Sequence, residues 1–209
     1  MSAFLYPVTL DLEGQPCLVV GGGMIAERKV RGLLEAGGRV TVVSPALSPG
    51  LVGLAADARF RWRPREYATG DTAGFFLVMV ATDDGAVNGA VAAEGRAGGA
   101  LVNCADDPDR CDFILPALLR RGALTVAVST GGASPTMACL VREELDGLLP
   151  ADYAELTGVV ADVRRALRER GVSLTAERWT SALDQEVKRL VAAGRPAEGR
   201  ERLQERLGG

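Results

Sequence analysis

Three clusters of residues in this chain have the types and the spacing for chemistry. In the first, Gly21-Gly22-Gly23-Met24-Ile25-Ala26 follows the apolar run Cys17-Leu18-Val19-Val20 and leads into a helix-like segment. Gly21-x-Gly23-x-x-Ala26 is a dinucleotide-binding pattern. One glycine permits a tight strand-to-helix turn, the next lets the backbone approach a pyrophosphate, and the small third residue lets helix and strand pack closely. The first N–H groups of such a helix have no partner within it and attract an anion. The second cluster is Asn103-Cys104-Ala105-Asp106-Asp107-Pro108, followed by Arg110, Cys111 and Asp112. Asp107-Pro108 is a turn pair. A carboxylate here can accept a proton, and Asp106, the first acid after the apolar run, is the best placed to do so. The third cluster runs from Ser129 to Pro135. Ser134 suits a helix N-cap and Pro135 the first helical position. Thr130, Gly131, Gly132 and Ser134 ahead of that helix would form a small anion site. Arg120 and Arg121 lie just before the preceding strand and would add charge, although paired arginines are commonly a solvated face.

The ribose end is less decided. A dinucleotide site often carries an acid about 20 residues beyond its glycines. Here the corresponding strand ends in Ser44-Pro45-Ala46, with neither an acid nor a following arginine. The spacing alone leaves NAD and NADP both open. The 209 residues include no histidine. Proton transfer therefore falls to Asp, Glu, Lys, Cys or Tyr, and a histidine-based triad or metal site is excluded. Cys17, Cys104, Cys111 and Cys139 form no C-x-x-C pair. That argues for a reducing compartment, by default the cytoplasm, and against a zinc site; Cys104 and Cys111 read as buried packing. The net charge of −3 comes with no basic block, so nucleic acid is not expected as a partner. The opening segment is too polar for a signal peptide, and no run of ~18 apolar residues exists to span a membrane. None of Tyr6, Tyr67 and Tyr153 has a lysine four residues on, which removes a tyrosine–lysine dehydrogenase.

The pattern of apolar residues predicts the elements that position these clusters. Phe4–Leu12 and Pro16–Gly21 read as strands, and Ala26–Ala36 as a helix with Val30, Leu33 and Leu34 on one face. Arg39–Ser44, Arg59–Arg63, Phe75–Ala81 and Ala100–Ala105 follow as strands, with a glycine-weakened helix over Gly85–Gly98. Strands alternating with helices imply an α/β, doubly wound parallel sheet of the Rossmann type, whose ligands gather at the carboxyl ends of the strands. Gly21–Gly23, Ser44, Thr82, Asp83 and the stretch from Asn103 to Asp107 then share one rim. A small α+β region follows, with a strand over Ala123–Thr130 and a helix over Pro135–Leu149. Beyond Pro150 the chain reads as helical, with apolar stripes at Leu156, Val160, Val163 and Leu167 and at Trp179, Leu183, Val187 and Leu190. The charged stretch from Gly194 to Gly209 reads as a short solvated helix or a frayed end. The expected division is 1–113, 114–150 and 151–209.

Taken together, GGGMIAERK, ATDDGAVN and VNCADDPDRCDFILPALLRRGALTVAVSTGGASP resemble the siroheme-synthase dehydrogenase module, precorrin-2 dehydrogenase and in many members sirohydrochlorin ferrochelatase. The resemblance covers roughly residues 1–150. It implies that NAD⁺ takes a hydride from precorrin-2 to give sirohydrochlorin, and that bifunctional members then insert Fe²⁺ to give siroheme. On this resemblance Asp106 is the catalytic aspartate, and Gly21, Gly22, Gly23, Met24 and Ile25 form the cofactor loop. Pro45 and Ala46 lie near the adenosine ribose. The family also lacks the ribose acid, which makes NAD the expected cofactor. Ser44, Thr82, Asp83 and Asn103 complete the expected cofactor rim; Arg120, Arg121, Thr130, Gly131, Gly132 and Ser134 would face the carboxylate-rich substrate. The resemblance further implies a homodimer in which the region over Ala123–Leu149 is exchanged. No resident metal ligands are expected, because the macrocycle supplies its own nitrogens. The competing reading is an NAD-binding redox-sensing domain without turnover, for which the acidic turn and the Ser-Thr-Gly-Gly loop would have no use.

Overall fold

The computed structural model describes residues 5–54, 56–105 and 107–208. The chain forms two compact units, Met1–Leu115 and Pro116–Gly209. In the first, five parallel strands lie in the order β3-β2-β1-β4-β5. They are β1 (Pro16–Val20), β2 (Arg39–Val43), β3 (Phe60–Arg63), β4 (Leu77–Val80) and β5 (Leu101–Cys104). The chain runs outward from β1 through β2 to β3, then crosses to β4 and β5 on the other side. This puts the topological switch point between β1 and β4, where open α/β sheets bind ligands. Val20 is level with Val43 and Val80, and Val80 with Cys104. Residues 21, 44, 81 and 105 therefore leave the sheet along one edge.

Alternate residues of these strands face opposite layers, as a period of two requires. Cys17, Val19, Val40, Val42, Leu77 and Met79 pack under α1 (Met24–Glu35) with Ala26, Val30, Leu33 and Leu34. Leu18, Val20, Val78, Val80, Val102 and Cys104 pack with Val91 and Ala92 of α3 (Gly85–Ala97). The short α2 (Pro49–Val52) is capped by Ser48, whose side chain accepts from Leu51 N. The glycines that weaken α3 in sequence serve its packing. A Cβ at Gly95 would lie 3.0 Å from the Val102 side chain, so this residue sets the close approach of helix to sheet. Burial also pushes the Cys17 thiol up to about 11, as for a thiol that only packs.

The strand expected over Phe4–Leu12 does not form across residues 5–12, while Phe4 lies outside the described residues. Tyr6, Val8 and Leu10 are exposed and only Leu12 enters the core, so no sheet face rewards the pattern.

Beyond β3, Asp71 is buried and accepts from Arg65 Nη1 and Nη2 at 2.6 Å each, Arg63 Nη1 at 3.0 Å and Ala68 N at 2.9 Å. The Arg65 guanidinium above all holds its carboxyl down to about 2. A carboxyl depressed on folding contributes stability above its unfolded value, near 4, and loses that contribution as the pH falls toward 2. Denaturant titrations at successive pH values should show this acid-side loss, and Asp71→Asn should flatten it. An unchanged slope between about pH 4 and pH 2 in the variant would refute the assignment.

The second unit opens with an antiparallel hairpin of β6 (Ala117–Arg121) and β7 (Leu124–Val128), followed by α4 (Pro135–Leu148). β6 is an addition to the expected elements: Gly122, at φ 57°, allows a two-residue turn between Arg121 and its partner Leu124. Then come α5 (Tyr153–Glu169), α6 (Ala176–Ala182), α7 (Gln185–Ala192) and α8 (Pro196–Leu207). Val159, Val163, Leu167, Ala182, Val187, Val191, Leu203 and Leu207 form their core. The expectation of a solvated or frayed tail is thus corrected, since α8 is an integral helix. Leu203 and Leu207 are buried, and a Cβ at Gly199 would meet Val191 at 2.9 Å, so α8 packs tightly on α7. The charges that made the segment look solvated pair on its outer side, Arg200 with Asp162, Arg202 with Glu186 and Arg206 with Asp184.

Candidate active site

The turn from β1 into α1 is built by three glycines with separate duties. Gly21 has φ 120°, and a Cβ there would lie 2.2 Å from the Ala81 carbonyl oxygen at the end of β4. Only glycine fits both the backbone conformation and the space. A Cβ at Gly22 would lie 1.9 Å from the Ala46 carbonyl oxygen and 2.5 Å from Ser44 Oγ. The loop after β2 therefore rests directly on this glycine, and Ser48 N ties it there by donating to Gly22 O at 2.7 Å. Gly23 differs: its φ is −83°, and nothing lies within 4 Å of the position a Cβ would take. No described contact at this position requires a glycine.

Gly23 is the N-cap of α1, and among the described residues no side chain caps that end. Met24 and Ile25 are exposed beside it. The neighbouring α3 provides the contrast. Asp84 accepts from Ala86 N and Val87 N, and Thr82 is bound to Asn88, so the start of α3 is closed by its own chain. Of the two helix starts on this edge, α1's offers backbone N–H groups to an anion. An ion pair of Glu27 with Arg31, together with the Ser48 hydroxyl donating to Glu27 at 2.6 Å, holds the loop after β2 against α1. These residues fit the pyrophosphate of a dinucleotide: a glycine cradle, an uncapped helix start, and Ala26 fully buried for close packing on the sheet.

Around the ribose position, Pro45 and Ala46 are exposed. Ser44 is buried and its hydroxyl donates to Ala46 O at 2.7 Å, while its carbonyl accepts from Trp62 Nε1 at 2.9 Å. Its side chain shapes the turn. Thr82 is likewise engaged with the start of α3, while Asp83 is exposed. Asn103 is turned into the core, where its Oδ1 accepts from Lys29 Nζ at 2.6 Å and its Nδ2 donates to Phe113 O at 2.9 Å. The rim placement is as expected for Asn103, but its amide works inside the protein.

Asp106 lies outside the described residues. The aspartates around it have partners: Asp107 pairs with Arg110 at 3.1 Å, and Asp112 with Arg96 at 2.7 Å while also accepting from Val102 N at 2.9 Å. After β5 the chain makes a 3-10 turn over Pro108–Arg110 and returns beside that strand, Asp112 N donating to Val102 O. Cys111 Sγ donates to Cys104 O at 3.1 Å and accepts from Cys104 N at 3.2 Å. Burial raises both thiols, consistent with packing.

In the second unit, the loop ahead of α4 has Gly131 and Gly132 at φ 64° and 89°. Thr130 Oγ1 accepts from Ser134 N at 2.9 Å and donates to Ser134 O at 3.0 Å, and Ser134 Oγ accepts from Met137 N at 3.2 Å. Both hydroxyls expected to meet substrate thus hold the loop's own shape, leaving the exposed glycine backbone as its outward chemistry. Arg121 differs from expectation more strongly. Its guanidinium donates to Leu149 O at 3.0 Å and to Asp146 at 2.7 Å, closing the carboxyl end of α4. Arg120 is exposed on β6.

Lys29 was absent from the residues expected at the site. Its signal was there: it falls in the inward stripe Ala26, Val30, Leu33, where a lysine is out of place. Gly22 was expected at the cofactor for its place in the glycine run. Its contact with the Ser44–Ala46 turn was hidden because it depends on the β1–β2 pairing.

A family model described as NAD(P)-binding matches residues 8–117, and one described as sirohaem biosynthesis protein central matches residues 121–148. Siroheme synthase of Methylococcus capsulatus is 41% identical over 199 residues, covering 94% of this chain and 42% of that protein. Siroheme synthase of Methylobacillus flagellatus is 38% identical over 205 residues, covering 97% of this chain and 44% of that protein. The chain thus spans less than half the length of these relatives. Among solved structures, SirC, a precorrin-2 dehydrogenase, matches with a TM-score of 0.78 and 29% identity, over 96% of this chain and 100% of that one.

Proposed function

The chain belongs to the siroheme-synthase dehydrogenase-module family, and from that premise we propose that it oxidises precorrin-2 to sirohydrochlorin with NAD⁺. The observation that carries this reading is the uncapped glycine start of α1 at the switch point of the sheet, in a chain whose fifth strand leads into an acidic turn. Bound NAD⁺ supplies the hydride acceptor. The backbone of Gly21, Gly22, Gly23, Met24 and Ile25 holds the pyrophosphate. Pro45 and Ala46 border the adenosine ribose. Residues 44–48 contain no arginine or lysine to neutralise a 2′-phosphate, which favours NAD over NADP.

The oxidation breaks a C–H bond, the electron pair leaving as hydride, and a proton must also depart. Asp106 takes that proton as general base. Its neighbours Asp107 and Asp112 are engaged with Arg110 and Arg96. The exposed Gly131–Gly132 backbone and Arg120 serve the carboxylates of the substrate. Thr130, Ser134 and Arg121 support that loop and α4.

The siroheme synthase relatives favour a second step, Fe²⁺ insertion into sirohydrochlorin, with metal and macrocycle both as substrates. Two pyrrole protons leave and the macrocycle nitrogens take the metal. Purified protein should accelerate siroheme formation from sirohydrochlorin and Fe²⁺; a rate equal to buffer leaves a dehydrogenase alone. We further place the enzyme in the cytoplasm as a homodimer. Four free cysteines suit a reducing compartment. Leu118, Met137, Leu140 and Leu148 give the second unit an exposed apolar surface of the kind a partner copy covers. Among the described residues no helix is long and apolar enough to cross a membrane.

A further inference from the structure

The helices of the second unit carry a groove that the oxidation does not use. α5 ends at Glu169, and Gly171, at φ 71°, turns the chain back so that Val172 N donates to Leu167 O at 2.9 Å. The returning segment runs into α6, which Thr175 caps by accepting from Arg178 N. α5, this segment and α6 together line a groove of about 460 Å³. Its apolar side chains include Val160, Leu167, Val172, Leu174, Trp179 and Leu183. Among the described residues, the charged groups that line it are Arg164 and Arg168 alone. These two lie four residues apart on α5, and so side by side on one face, with roughly 5–6 Å between their Cβ atoms. Arg165, between them, pairs with Asp162, as does Arg200. Arg164 and Arg168 have no ion pair among the described residues. Glu169 lines the adjoining hollow and not this groove.

We propose that this groove is a second binding site for the tetrapyrrole, taking one edge of the macrocycle. The flat ring system lies against Trp179 and the aliphatic floor, and two peripheral carboxylates meet Arg164 and Arg168. The inference rests on reading the chain as an enzyme of this macrocycle. Charge complementarity carries it. The chain as a whole is acidic, with a net charge of −3, and repels a polycarboxylate, so a groove with two unpaired guanidinium groups and no acid stands apart. Each guanidinium can hold a carboxylate through two parallel hydrogen bonds. An apolar wall beside them rewards a ligand that brings ring surface as well as charge, which a simple anion does not. The groove is of the size that takes part of a large ligand and leaves the rest in solvent. Its residues belong to α5, α6 and the segment between them, so the site serves binding and not the redox step.

Equilibrium dialysis of the full chain against sirohydrochlorin, without NAD⁺, tests this. Wild type should bind two molecules per chain. The double variant Arg164→Gln, Arg168→Gln should weaken one of the two by about 100-fold, since it removes both charge-assisted contacts. Precorrin-2 turnover at saturating substrate should stay within about two-fold of wild type. Arg164→Lys with Arg168→Lys, which keeps the charge and loses the planar fork, should fall between the two. The proposal is overturned if wild type binds a single molecule, or if the glutamine variant binds two with unchanged affinities. Displacement of the second molecule by an equimolar amount of ATP also overturns it, by marking a phosphate site. Should the glutamine variant not fold, a second-site affinity in wild type that does not weaken with added salt overturns it instead. The reading beneath it fails separately: a wild type that forms no NADH from precorrin-2 is no dehydrogenase, whatever the dialysis returns.

Discussion

Asp106→Ala is expected to lower precorrin-2 turnover by about 10³-fold, within the range a general base contributes, while NAD⁺ binding stays near wild type. The two effects should separate because the glycine turn lies where β1 enters α1, whereas Asp106 comes in the sequence two residues after β5 ends at Cys104. With no histidine in the chain, few other groups can replace the carboxylate. Asp107→Ala is the matching control. Its carboxylate is partly exposed and already paired with Arg110, so its removal should cost little beyond a modest loosening of the turn. Stopped-flow or steady-state measurement of NADH formation, beside a nucleotide-binding titration, decides the point. Wild-type turnover in Asp106→Ala would remove the residue from the mechanism.

The glycines at the other end of the site lead to a second large effect. Gly23→Ala should leave folding stability unchanged to within about 0.5 kcal/mol, because its φ is ordinary and its Cβ would meet nothing in the protein. It should nevertheless weaken NAD⁺ binding by about 100-fold, because the added methyl stands where the pyrophosphate must approach. Gly22→Ala should differ in kind. Its Cβ would strike the Ala46 carbonyl, so stability should drop by about 2 kcal/mol or more as well as affinity. Thermal unfolding and calorimetric titration of the pair separate the roles. Equal loss of stability in both variants would show that Gly23 serves the fold, not a ligand.

These contrasts show how much was legible beforehand. The runs Cys17–Val20, Val40–Val43 and Leu77–Val80 identified the central strands because strands buried on both faces leave little besides continuous apolar sequence. The glycine fingerprint and the acidic turn were legible because their residue types are tied to local backbone geometry. What stayed hidden depended on partners distant in sequence. Leu203 and Leu207 became core because α5 and α7 cover them, despite the charges around them. Tyr6, Val8 and Leu10 alternated as a strand would, yet no neighbouring strand received them. Arg121 looked like a substrate ligand until its partner Asp146, on the following helix, was seen. Lys29 and Asn103 are 74 residues apart, and only the packing of α1 over the sheet joins them.

The central claim is that the bare glycine start of α1 and the acidic turn after β5 belong to one oxidation reaction. Its most direct test is to mix purified protein with precorrin-2 and NAD⁺ and follow the near-ultraviolet absorbance of NADH together with the visible spectrum of the macrocycle. The account predicts NADH and sirohydrochlorin in equal amounts, at a rate proportional to enzyme. Nucleotide binding with no NADH formed at saturating precorrin-2 would contradict it and leave a sensor domain in its place.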